Sequence, residues 1–139
     1  MATSKTFVFL ATYTILLLAA TVSSNIFNTN SKEADTSNHL IVGHRESLDT
    51  LAHQENVSEW ASLIGRIVEK TRTFNITNDY VITQIRALDR ATDGTGANAV
   101  LVAGGPGSNF ATLEFESQRF HGIYFTVQLY AKYAAYGRR

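Results

Sequence analysis

Four histidines, His39, His44, His53 and His121, are the side chains best suited to hold a metal or move a proton near neutral pH. No two stand at the HxH or HxxxH separations that aim ligands from one face of a strand or helix, so scattered surface histidines are expected. Asp89, Thr92 and Asp93 bring oxygen ligands together, but the alternating acidic positions and closing glutamate of a calcium loop are missing. Glu114 and Glu116 are two apart and share a face if the segment is a strand; like charges so placed belong to a solvated face rather than to an acid/base pair. The glycine-rich stretches DGTG and GGPGSN lack both the GxGxxG spacing and a following Lys-Ser/Thr, so they read as turns and not as phosphate cradles. No GxSxG elbow is present, and with no cysteine there is neither thiol catalysis nor a cysteine zinc site. The expectation is a protein with no catalytic residue, no cofactor and no metal.

Recognition through a surface is the chemistry that remains. Tyr124, Gln128 and Tyr130 fall on one face of Ile123 to Tyr130, where Ile123, Phe125, Val127 and Leu129 alternate with them on the other. That period of two marks a half-buried strand, and aromatic groups on its polar face suit contact with a partner. The elements that must carry this strand are also extended. HLIVG from His39 predicts a first strand, LAHQE a second after the connection RESLDT, and Tyr80–Asp89 a long third run. DRATDGTG then predicts a hairpin into ANAVLVA, GGPGSN a tight turn around the only proline, Ala111–Ser117 another strand, and QRFHG the last turn.

Ser58 to Phe74 is locally ambiguous. Trp60, Leu63, Ile64, Ile67 and Val68 follow an amphipathic-helix spacing, with Asn56 and Glu59 placed like a capping box. Gly65 in mid-pattern and the continuation VEKTRTF favour a strand. Two glycosylation triplets, Asn56-Val57-Ser58 and Asn75-Ile76-Thr77, fall outside the clearest strands and make Asn56 and Asn75 candidate glycan sites.

Lys5 followed by the apolar run Phe7–Val22 and then Ser23 and Ser24 has the layout of a secretory signal peptide. Sixteen residues reach only about 24 Å as a helix, short of the roughly 30 Å hydrocarbon core, so a helical, cleaved signal over residues 1–24 is expected rather than an anchor. Residues 25–38, rich in Asn, Ser and Thr, read as a flexible leader and 132–139 as a tail. The ending Gly137-Arg138-Arg139 raises an amidated, hormone-like precursor ending at Tyr136 as an alternative to a frayed cationic tail. In between, the chain of 139 residues, 45% hydrophobic and 17% charged, has room for one core. Twelve basic residues balance twelve acidic ones without a charged stripe, which excludes direct nucleic-acid binding as an expectation.

Taken as an ordered set, ITQIRALD, DGTGANA, LVAGGPGSN, SQR and GIYFTVQLY resemble the insect multiprotein bridging factor two family, also described as transcription activators or salivary secreted peptides. The resemblance implies a small all-β domain over residues 39–131 and tips Ser58–Phe74 toward strand. It also implies two compartments: a nuclear coactivator bridging a DNA-bound receptor to a basal transcription factor, or an exported salivary protein. Together these readings predict an antiparallel β-sandwich-like domain of about six or seven strands. It is expected to be extracellular, to meet membrane only through its signal peptide, and to bind a protein or small ligand without catalysis.

Overall fold

The computed structural model describes residues 35–137; the predicted signal peptide and residues 25–34 of the predicted leader lie outside that range. Seven strands follow one another: β1 (Leu40–Gly43), β2 (Thr50–Glu59), β3 (Glu69–Asn75), β4 (Tyr80–Asp89), β5 (Asn98–Gly104), β6 (Phe110–Glu116) and β7 (Ile123–Tyr133). A short 3-10 turn, Ala134–Gly137, follows the last strand. The strands form a four-stranded sheet in the order β1-β4-β7-β2 and a three-stranded sheet in the order β3-β6-β5, every pairing antiparallel. The all-β sandwich expected from the alternation is the observed fold.

β7 is its central plank. Ile123, Phe125, Val127, Leu129 and Ala131 are fully buried, while the intervening residues point to the opposite side of the sheet. Ala111, Leu113 and Phe115 of β6 answer them from the facing sheet, and the Phe115 and Phe125 rings meet with centroids 5.1 Å apart. Each of the larger side chains removed from water contributes roughly 1.5–3 kcal/mol, which is how a chain without cysteine holds two sheets together. β4 carries the same alternation out of phase, because a register shift between Ile82 and Gln84 inserts Thr83. Ile82 and Thr83 are therefore both buried, and the inward positions resume at Ile85, Ala87 and Asp89.

Three expectations are corrected. DRATDGTG is not a hairpin: β4 pairs with β1 and β7, whereas β5 pairs with β6, so this connection crosses from one sheet to the other. The turn at GGPGSN is the true hairpin, and it also reaches the facing sheet, with Gly107 N–H donating to the Ile82 carbonyl and Ile82 N–H to the Ser108 carbonyl, both at 2.8 Å. Ser58–Phe74 is neither one helix nor one strand; β2 ends at Glu59, β3 begins at Glu69, and 60–68 is a connecting loop. Finally, the glycosylation triplet at Asn56 lies within β2, while in the other only Asn75 itself, the last residue of β3, is in a strand.

Along one open side of the sandwich the edge strands β2 and β3 face each other. Four of their inward positions there are charged: Lys70 Nζ lies 2.8 Å from Glu59 Oε2, and Arg72 pairs with Glu55. Inward-pointing charges close an edge to pairing by another chain, where apolar residues would invite it. Hydrogen bonding to Arg72 holds the Glu55 carboxyl below its ordinary range.

Candidate functional site

The predicted contact residues are placed as the alternation requires, on the outer face of the four-stranded sheet. They form a file and not a cluster, since six residues of extended chain separate Tyr124 from Tyr130 by roughly 20 Å. Tyr130 is committed to the fold. The Arg45 guanidinium lies 3.8 Å above its ring centroid, and the same guanidinium donates through Nε to Asp49 Oδ1 at 2.7 Å.

Asp49 is the buried end of that latch. Its Oδ2 accepts from the Glu46 N–H at 2.8 Å and from the Thr83 hydroxyl at 2.9 Å. Burial pushes the carboxyl up, but the Glu46 N–H, the Arg45 guanidinium and the Thr83 hydroxyl outweigh it and hold the group below its ordinary value. The β4 register shift at Thr83, whose hydroxyl reaches Asp49, thus helps fasten the loop of residues 44–49 beside Tyr130.

Gln128, in mid-file, donates from Nε2 to Gln54 Oε1 at 2.9 Å, and beside it Thr126 donates to Asn56 Oδ1, also at 2.9 Å. Gln128 Oε1 is covered and has no partner. Tyr124 sits at the far end, next to Arg90 and Ala91, with its ring over Gly122. Asn56 stands opposite Thr126 in this same file, between the Ser58–Tyr124 and Gln54–Gln128 pairs. A glycan on Asn56 and a partner across Tyr124 and Gln128 would therefore compete for one face. Asn75 points elsewhere, lining a shallow depression of about 350 Å³ with Thr50, Ala52, Ile76, Thr77 and Tyr80. That volume is at the small end for a ligand site, and the lining brings no charged group to it.

Buried titratable groups are engaged by the backbone and do not converge. Asp89 accepts from the Asn38 N–H and the Ala91 N–H, each at 3.0 Å, and a Cβ at Gly96 would meet its Oδ2 at 1.8 Å. Asp89 thereby ties the end of the predicted leader to the β4–β5 crossing, assisted by Thr36 N–H to the Thr92 carbonyl. His39 accepts from the Asp89 N–H through Nδ1. Among the described residues no group of three His, Cys, Asp or Glu side chains is arranged to hold a metal.

A group of strongly exposed apolar side chains is a feature that sequence reasoning did not propose. Trp60 is 83% exposed, Leu63 98%, Ile64 71% and Phe120 65%, with Ile67 half exposed beside them. They lie on the β2–β3 and β6–β7 loops, which touch: the Phe120 ring roofs Gly65, where a Cβ would come within 2.3 Å of it. Gly65 has φ +70°, a conformation that suits glycine. The loop base is fixed, with Val68 N–H donating to Ser117 Oγ at 2.8 Å and Ser117 N–H to the Val68 carbonyl at 2.9 Å. A turn bond from Gly65 N–H to the Ser62 carbonyl at 3.0 Å shapes the tip. Phe120 itself has φ 64°, a strained setting for a bulky residue and a cost of order 1–3 kcal/mol. The backbone is thus ordered while its large apolar side chains are held in water. The WxxLIxxI spacing was the available signal, and it was legible as apolar residues but not as residues without a core to enter.

Residues 42–131 match the family described as transcription activator MBF2. Over 135 residues, covering 96% of this chain and all of the relative, the sequence is 37% identical to a Bombus ignitus protein named probable salivary secreted peptide. No solved structure matches. Neither description names an enzymatic activity.

Proposed function

The chain belongs to the transcription activator MBF2 family, and from that premise we propose that it is exported and works outside the cell, without catalysis, by binding a protein or small ligand. The observation that carries the binding part is the loop end, where Trp60, Leu63, Ile64 and Phe120 are all left exposed on two loops that touch. Export is supported by the apolar run Phe7–Val22 and by the extent of the match to the salivary relative. A similarity that takes in 96% of this chain leaves out too few residues to omit that run.

Expression of the full chain in insect cells tests this reading. Protein in the medium with its N-terminus near Asn25, carrying glycan mass at Asn75, at Asn56 or at both, is expected. Recovery of only the uncut chain from nuclei overturns it. The family's description as a transcription activator favours a second reading, the one the resemblance implied: a nuclear protein that bridges a DNA-bound receptor to a basal transcription factor. A leaderless form that retains no basal transcription factor in a pull-down removes that reading. The mass of the secreted material also tests the tail, because an intact Arg139 eliminates an amidated end at Tyr136.

A further inference from the structure

We propose that β5 is a self-association edge: two copies of this chain lay β5 against β5, antiparallel about a two-fold axis, and join their three-stranded sheets into one continuous sheet. The contact goes beyond the reading above and uses none of the loop-end residues, so either can fail without the other.

The sandwich has two open sides, and they are finished differently. Where β2 faces β3, the Glu59–Lys70 and Glu55–Arg72 ion pairs stand in the opening. On the other side β1 runs alongside β5. Asn38, before β1, donates from Nδ2 to the Gly96 carbonyl at 3.2 Å, and a Cβ at Gly43, the end of β1, would come within 2.8 Å of Pro106. The two strands, LIVG and NAVLVAG, contain neither a charge nor a proline, the usual guards of a sheet edge. Leu40, Val42, Ala99 and Leu101 pack against the core from this side and are only half-buried. Among the described residues no strand pairs with the far side of β5. Such an edge is a template for another strand.

Symmetry selects a second copy as the occupant. Burial alternates regularly over Asn98–Leu101, before the register shift between Leu101 and Ala103, and Val100 stands 56% exposed on the outer face opposite Glu114. With the two-fold axis at Val100, that side chain meets its own copy on the outer face, and Ala99 meets Leu101 on the inner one. Apolar groups then oppose apolar groups, and no residue changes face. The turn bearing Asp93 falls beside the second copy's Gly104–Asn109, which holds no charge. Glu114 of the two copies, one strand further out on either side, are three strand spacings apart, about 14 Å, beyond the roughly 8 Å reach of charge in physiological salt.

Sedimentation velocity on the full chain as expressed, over a rising concentration series, tests this. The parent is expected to pass from monomer to dimer, and amide hydrogen exchange over residues 98–101 to slow as the dimer fills. Val100→Lys sets two like charges against each other across the axis and weakens the dimer about tenfold or more, with the monomer still folded because the position is exposed. Val100→Thr, uncharged and equally β-branched, keeps the dimer. Leu63→Asp, at the loop end, leaves it unchanged, and salt near about 1 M does not dissociate it, since no ion pair lies in the contact. A parent that stays monomeric at every concentration overturns the proposal, as does a dimer indifferent to Val100→Lys. Dissociation by Leu63→Asp overturns it in favour of association through the loop end. Exchange over 98–101 that is slow at every concentration overturns it in favour of the chain's own N-terminal residues as the cover of β5.

Discussion

The outer face of the four-stranded sheet and the loop end of the sandwich both display aromatic side chains, and they hold them in opposite ways. On the sheet, Tyr130 is capped by Arg45, Gln128 is bonded to Gln54, and Thr126 to Asn56, so much of what could contact a partner is engaged with its own neighbours. At the loop end the backbone is satisfied by Ser117 and Ser62, but Trp60, Leu63 and Ile64 are not covered by anything in the described chain. Exposure of an aromatic ring is therefore a poor guide to its availability. What distinguishes a free surface is whether the groups around it have already found partners, and by that test the loop end is the freer of the two.

The comparison breaks most readily if the loop residues are core residues in disguise. Phe125→Ala opens a hole between the sheets, against Phe115, and is expected to cost about 3–5 kcal/mol. Trp60→Ala removes a side chain of greater size from the loop and is expected to stay within about 0.5 kcal/mol of the parent. Thermal or urea unfolding of the two variants measures both. A Trp60→Ala loss approaching that of Phe125→Ala would mean that the loop packs in solution and offers no free surface.

That contrast also explains what the sequence could convey. β7 was legible from Ile123 to Tyr130 because burial follows its period of two without interruption, and the all-β class followed from it, while its last three residues, to Tyr133, were not read as strand. β4 was legible as a strand, but its shift at Thr83 was not, because the inserted residue is chosen by Asp49, thirty-four positions away. The β4–β5 connection carried glycines suited to a hairpin, yet pairing depends on which sheet each strand can bury against, and local turn chemistry has no access to that. Residues 60–68 failed for a related reason. Apolar spacing announces a face, and whether the molecule supplies a surface to cover it is decided elsewhere in the chain. Tyr124, Gln128 and Tyr130 were placed on the right face, while the Arg45 guanidinium over Tyr130 is a tertiary event with no local trace.

The sheet face is sharpened by removing its fastening. Asp49→Asn leaves the Arg45 guanidinium and the Thr83 hydroxyl without a charged acceptor and is expected to cost about 2 kcal/mol, since hydrogen bonds to an ionised group contribute more than neutral ones. The pH dependence has a definite sign. The Asp49 carboxyl is held below its ordinary 3.8, so around that pH the unfolded chain binds more protons than the folded one. Its contribution is fully present above pH 3.8 and is lost as pH falls through the lower folded value. Urea midpoints taken from pH 7 downward should decline in the acid range for the parent, with a shallower decline for Asp49→Asn. Parallel curves would show that another carboxyl governs acid unfolding and that the latch beneath Tyr130 is weaker than its geometry implies.

Phe120→Gly is expected to change stability only a little, and it bears on the loop end alone. Glycine relieves the left-handed strain at this position, a gain of order 1 kcal/mol. Against that gain stand the lost contact of the ring with Gly65 and the greater freedom of glycine in the unfolded chain, which costs roughly 0.5–1 kcal/mol. The opposing effects nearly cancel, so the melting temperature should move by no more than a few degrees, in line with about 1 kcal/mol for a domain of this size. Binding by the loop end should fall far more than stability does, because the ring that bridges the two loops has gone. If stability drops by as much as it does in Phe125→Ala, Phe120 is a structural residue of the fold. Its strained backbone would then be maintained for packing against Gly65, and the loop end would resemble the sheet face after all, as a surface already engaged with itself.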